Sequence, residues 1–120
     1  MRQILLSSIV LLCLDLIFLY TISNLFNKQI YDVQKSPLRI NFVGALLSYL
    51  FLIIGINFFI LNERKSIVDA FILGMVIYGV YETTSYALLK NWKIQTVIMD
   101  TLWGGILYSL TTFITYSIIY

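Results

Sequence analysis

Four long apolar runs, approximately residues 4–25, 40–61, 67–89 and 94–120, follow one another with only short polar connections between them. A bilayer hydrocarbon core of about 30 Å is crossed by roughly 20 helical residues at about 1.5 Å rise each. Each run therefore matches one span, and four spans consume most of the 120 residues. The pattern predicts an all-α, multi-pass membrane protein: a single domain over residues 1–120 built as a four-transmembrane-helix bundle, with the lipid bilayer as its main partner.

Composition narrows the function classes. Hydrophobic residues make up 60% of the chain and charged residues 12%, and the mean hydropathy of +0.90 is far above what a water-exposed surface tolerates. The net charge of +2 arises in short loops, where it bears on orientation and lipid headgroups. No basic stripe with interleaved aromatics is present, so nucleic acid is not an expected partner. The chain has no histidine, which excludes imidazole metal sites and His-based acid/base or nucleophilic systems. Cys13 is the single cysteine and rules out an intrachain disulfide. No cofactor, metal site or catalytic motif is expected, and the chain is not read as an enzyme.

The first run begins near Arg2 and resembles a secretion signal in outline, but it is too long, contains Asp15 and lacks a small-residue cleavage site. It is read as a retained helix. Lys28, Asp32, Lys35, Pro37 and Arg39 mark a polar connection to the second helix, residues 62–65 a turn to the third, and residues 90–93 a turn to the fourth. One membrane face carries Arg2, Arg64 and Lys65; the other carries Lys28, Lys35, Arg39, Lys90 and Lys93. That asymmetry favours cytoplasmic connections and both termini outside. Trp92, flanked by Lys90 and Lys93, is expected to anchor its turn at the headgroup boundary. Gly44, Ser48 and Gly55 on the second helix, Gly74 on the third, and Gly104 and Gly105 on the fourth are expected to let neighbouring backbones approach closely.

Acidic residues inside the runs carry most of the functional information. A carboxylate at a helix centre costs about 2.5–3.5 kcal/mol on insertion scales, so Asp15, Glu82 and Asp100 are expected to face inward. Asp69, three residues after Ser66, fits a helix cap instead. Glu82 stands eight residues before Lys90, about 12 Å along the axis. Because the third and fourth helices are joined by a tight turn, Glu82 and Asp100 are expected about 9–12 Å below one surface, with Asp15 some 15–17 Å from it. Tyr78, Glu82 and Ser85 share a helix face at three- and four-residue spacing, and Asp100 and Trp103 share another. These placements predict one polar pocket lined by Asp15, Tyr78, Glu82, Ser85, Asp100 and Trp103. At least one acid in it is expected to be protonated, since low dielectric and a like neighbour disfavour a second charge.

The second half also carries a recognisable signature. Asp69-Ala70, Leu73-Gly74 and the run Tyr78-Gly79-Val80-Tyr81-Glu82, then Thr84, Ala87, Leu89, Lys90 and Trp92, and finally Asp100-x-x-Trp103-Gly104, resemble the domain-of-unknown-function family of predicted membrane proteins numbered twenty-one seventy-seven. Asp15, within Leu14-Asp15-Leu16, resembles its first-helix aspartate. Where that family usually has Asp, Asn and Thr, this chain has Glu82, Ser85 and Leu88, and Lys93 replaces a usual proline. The resemblance implies a four-helix membrane protein and supplies no activity.

Two functions compete. One is a small proton- or cation-coupled carrier that uses the intramembrane carboxylates; four helices leave little room for a path, so a homo-oligomer is expected. The other is a structural or assembly protein whose buried polar cluster fixes helix packing and the choice of a membrane-protein partner.

Overall fold

The inward face of the first helix is a stripe one residue wide: Ser7, Leu11 and Asp15, at four-residue spacing, are its buried positions in α1 (Arg2–Thr21). Leucines and isoleucines cover the rest, and Leu5, Leu16 and Ile17 are more than half exposed, as a lipid-facing surface requires. The computed structural model describes residues 2–36 and 41–120. Pro37, Arg39 and the expected start of the second span at residue 40 lie outside the described residues.

Five helices follow in order: α1, α2 (Ser23–Gln34), α3 (Phe42–Ile56), α4 (Ile67–Leu88) and α5 (Ile94–Ile119). A π-helical turn, Asn57–Leu61, continues α3 and completes its span. The four long helices are each long and apolar enough to cross a membrane, and the molecule measures 47 × 24 × 22 Å. The long axis matches a bilayer with its headgroup layers, about 40–45 Å. The chain is an all-α, multi-pass membrane protein.

Helix ends are set by local chemistry. Asn41 caps α3 by accepting the Gly44 amide at 3.1 Å, and Ser66 caps α4 by accepting the Asp69 amide at 3.1 Å. Each cap satisfies one of the otherwise orphaned first-turn donors. Between α4 and α5 the chain reverses through Asn91 in the left-handed region, φ 63°, where asparagine is tolerated better than most residues.

Helix α5 is the central element. In its most apolar stretch 39% of residues are buried, against 17% in each other span. Its tightest neighbour is α4, because glycines remove the side chains at the crossing. A Cβ on Gly104 would stand 2.6 Å from the Gly74 carbonyl oxygen, and one on Gly74 would strike the Gly104 carbonyl. Ala70 and Gly74, four residues apart and both buried, form the small-residue pattern that brings membrane helices together. The expectation for α3 divides: Gly55 lies under the Tyr108 hydroxyl, with a Cβ there 3.0 Å from it, whereas Gly44 meets only its own Asn41 cap. Gly44 and Ser48 are exposed.

The polar connection after the first span contains a helix. In α2 the positions Phe26, Gln29, Ile30 and Val33 face inward, buried or half-buried, while Asn27, Lys28 and Tyr31 face out. Spacings of three and four make it amphipathic, the form that lies along a membrane boundary. Gln29, 2% exposed, fixes it to the α4–α5 turn. Its Nε2 donates to the Asn91 carbonyl at 2.7 Å, and its Oε1 accepts the Lys93 amide and the Thr96 hydroxyl, each at 3.0 Å. Gln29→Ala removes all three bonds, at about 0.5–1.5 kcal/mol apiece. Amide exchange in residues 23–34 is therefore expected to accelerate roughly 10- to 1,000-fold, with the α4–α5 core unchanged. Equal protection of residues 23–34 in both proteins would show that Gln29 does not hold the helix.

Candidate functional site

The three embedded carboxylates occupy different chemical situations. Asp15, 6% exposed on α1, is fully engaged: Tyr49 of α3 donates its hydroxyl to Oδ2 at 2.5 Å, and Trp103 of α5 donates its indole N–H to Oδ1 at 2.9 Å. Phe18 stacks on the Trp103 ring with centroids 4.3 Å apart and planes 4° from parallel. One carboxylate thus ties three helices together, with both acceptor oxygens supplied.

Glu82 on α4 is fully buried and only half satisfied. Its Oε1 accepts the Trp92 indole N–H at 3.0 Å; its Oε2 is buried and receives no N–H or O–H from any described residue. Asp100, on the facing helix α5, lies within hydrogen-bonding reach of that carboxyl and in the neighbourhood of Asp15. Two carboxylates are both acceptors and cannot bond to each other without a proton between them.

Tyr78 sits close to both Asp15 and Asp100. Ser85, half-buried, is turned toward the Tyr81 hydroxyl. Of the six residues expected to line one pocket, the structure joins Asp15 to Trp103 and Glu82 to Asp100, and places Tyr78 between the two pairs. Ser85 stands at the edge, beside Tyr81. The arrangement is two adjacent centres, one satisfied and one not.

A cavity of about 480 Å³ opens beside the second centre, lined by Ser48, Phe51 and Leu52 of α3, Ile77, Tyr78 and Tyr81 of α4, and Asp100 of α5. Asp100 reaches this cavity; Glu82 stands behind it, out of contact with the surface. Toward the termini lies a further polar group. Asn57, in the π-helical turn, donates to Ser7 Oγ at 3.0 Å and accepts from Gln3 at 3.3 Å. On α5 the hydroxyls of Thr111, Thr112 and Thr115 are buried without a partner among the described residues. Fully buried Leu11 and Leu107 lie between these groups and the carboxylates along α1 and α5, and Ile56 and Tyr108 join them in one apolar cluster. Among the described residues, no three Cys, Asp or Glu side chains come together as a ligand set for a metal ion.

A family described as a predicted membrane protein (DUF2177) matches residues 1–117. The chain belongs to this family. No curated protein and no solved structure matches it. Most of the acids, tryptophans and glycines that carry the DUF2177 resemblance in the sequence, Asp15, Gly74, Glu82, Trp92, Asp100, Trp103 and Gly104, make the α4–α5 crossing and the two carboxylate centres, whereas Asp69 is exposed at the start of α4.

Three partners were not among the residues expected at the site. Tyr49 gave no signal beyond a tyrosine inside a span. Trp92, only 6% exposed, turns its indole inward to Glu82. Gln29 was hidden in a segment read as a connection, although Phe26, Ile30 and Val33 carry the helical spacing that would have marked its inward face.

Proposed function

We propose that this DUF2177 member is a small proton- or cation-coupled carrier in which the Glu82–Asp100 pair is the exchanging site. A fully buried Glu82 whose Oε2 has no donor among the described residues, within reach of the Asp100 carboxyl, carries the reading. A polar network kept only for packing tends toward full satisfaction, as at Asp15, because each unmet buried group costs about 1–3 kcal/mol. A shared proton supplies the missing donor, and a cation arriving at Asp100 can take its place. The groups facing Asp100 are Glu82, Tyr78 and Tyr81 of α4 and Asp15 of α1. Among the described residues no lysine or arginine is one of them, so no described basic group competes for the charge. The apolar cluster on the terminal side, with Leu11, Ile56, Leu107 and Tyr108 fully buried, suits a protein that opens to one side at a time. Because one chain offers a short path, a homo-oligomer is the expected working unit.

The second reading, a structural or assembly protein, rests on Asp15, whose satisfied bonds fix α1, α3 and α5 without needing chemistry. Proton flux into liposomes separates the two. Glu82→Gln keeps the Trp92 acceptor and removes the exchangeable acid, so the carrier reading expects flux to fall at least tenfold with folding retained. Undiminished flux in this variant overturns the assignment of the pair. No flux from either protein, together with weakened association of the variant, favours assembly.

A further inference from the structure

The cavity beside Asp100 has its mouth in an unusual place. Phe51 and Tyr81, on its two sides, are 69% and 61% exposed, and Phe51 lies midway along the span Phe42–Leu61, nine residues or about 14 Å from its start. The opening thus faces hydrocarbon at mid-depth rather than water. What enters there must already be soluble in lipid. A bare metal ion or small ammonium is excluded by the cost of desolvation, which reaches tens of kcal/mol for an unshielded charge. A lipid tail would fit Phe51, Leu52 and Ile77 but has no use for a carboxyl group and two phenols in the lining. A volume of about 480 Å³ falls in the range of small-molecule sites, about 300–1,000 Å³, which are typically apolar with a few placed polar groups.

We propose that the groove between α3 and α4 is a binding site for lipophilic organic cations, entered laterally from the bilayer, with Asp100 as the counter-charge and Tyr78 and Tyr81 as the aromatic wall. Aromatic faces attract a desolvated cation within about 6 Å of the ring, and quaternary cations carry their apolar shell with them. This site names the cargo of the carrier reading and rests on it for transport, but binding itself does not require flux. Arrival of one cation at the pair releases the one shared proton to solvent, so charge is conserved.

The test uses the full chain in phosphatidylcholine nanodiscs, with radiolabelled tetraphenylphosphonium as probe and tetraphenylsilane as the uncharged molecule of the same shape. Saturable tetraphenylphosphonium binding is expected, with about one proton released per probe in weakly buffered solution. Excess tetraphenylsilane is expected to displace less than a tenth of the probe. Asp100→Asn should weaken binding at least tenfold and Phe51→Ala several-fold, with helix content and size-exclusion profile unchanged. If Asp100→Asn misfolds, the comparison of the two probes on the native chain still decides the matter. Equal competition by the silane means that the groove is a lipid-tail slot or a seat for a second copy, and overturns the proposal, as does the absence of saturable binding. Glu82-dependent proton flux without probe binding would defeat the cargo assignment while leaving the carrier reading intact; binding without flux would do the reverse.

Discussion

Gly74→Ala is expected to destabilise the folded chain by more than about 3 kcal/mol, a large share of the 5–15 kcal/mol that holds a typical domain together. The added carbon would collide with the Gly104 carbonyl oxygen, and would stand 2.8 Å from the carbonyl carbon and 2.9 Å from Tyr108 Cβ. Backbone atoms of α5 cannot step aside as a flexible side chain can, so the whole helix must shift. That shift would part Glu82 from Asp100. Overpacking by one carbon in a soluble core typically costs about 1–3 kcal/mol; a backbone collision at the tightest crossing of the bundle belongs above that range. Gly44→Ala is the matched control, since a Cβ there comes no nearer than 3.8 Å to anything but chain neighbours and its own helix. Its helix propensity should leave stability equal or up to about 1 kcal/mol better. Reversible unfolding in mixed micelles measures both. Equal effects of the two substitutions would mean that α4 and α5 do not meet at these glycines.

The contrast between two glycines in similar apolar runs also marks what the sequence could reveal. Four spans were legible because hydrocarbon thickness imposes a length and an apolarity that no soluble element shares. The Gly74–Gly104 crossing was legible in kind, since small residues are how membrane helices approach, but the same rule applied to Gly44 points at a position that meets no neighbouring helix. Small residues permit contact without requiring it, and only the partner's position decides. Helix α2 was missed for a related reason: Asn24, Lys28 and Asp32 break the apolar run, and a break in hydropathy looks alike whether the segment is coil or an amphipathic helix at the membrane boundary.

At the site, insertion cost placed Asp15, Glu82 and Asp100 inside the bundle, and helix arithmetic brought Glu82 level with Asp100. It could not distinguish a satisfied acid from an unsatisfied one. That difference comes from the donors: Tyr49 and Trp103 for Asp15, Trp92 alone for Glu82. Donors arrive from helices whose rotation about their own axes is fixed by packing, and no periodicity in a uniformly apolar run records that rotation. Trp92 illustrates the limit. Its flanking lysines favour the headgroup layer, yet the tight turn folds its indole back over α4, where Glu82 offers a buried acceptor that water would otherwise have to fill.

Asp15→Ala is expected to cost about 2–4 kcal/mol, because it strands two donors at once. The Tyr49 hydroxyl and Trp103 N–H, both on half-buried residues, lose their shared acceptor, and each group left unmet inside the bundle costs about 1–3 kcal/mol. Interhelical hydrogen bonds in membranes average only about 0.6 kcal/mol, so the attraction itself is a minor part of the loss. The asymmetry makes a sharper test than the single change. Asp15→Leu combined with Tyr49→Phe and Trp103→Phe removes the donors together with the acceptor, and should recover at least half of the lost stability by unfolding in mixed micelles. If Asp15 acts only as a brace between α1, α3 and α5, the triple variant also retains the Glu82-dependent proton flux of the native chain. Recovered stability with flux abolished would instead place Asp15 in the proton path, making the two centres a single relay with Tyr78 between them.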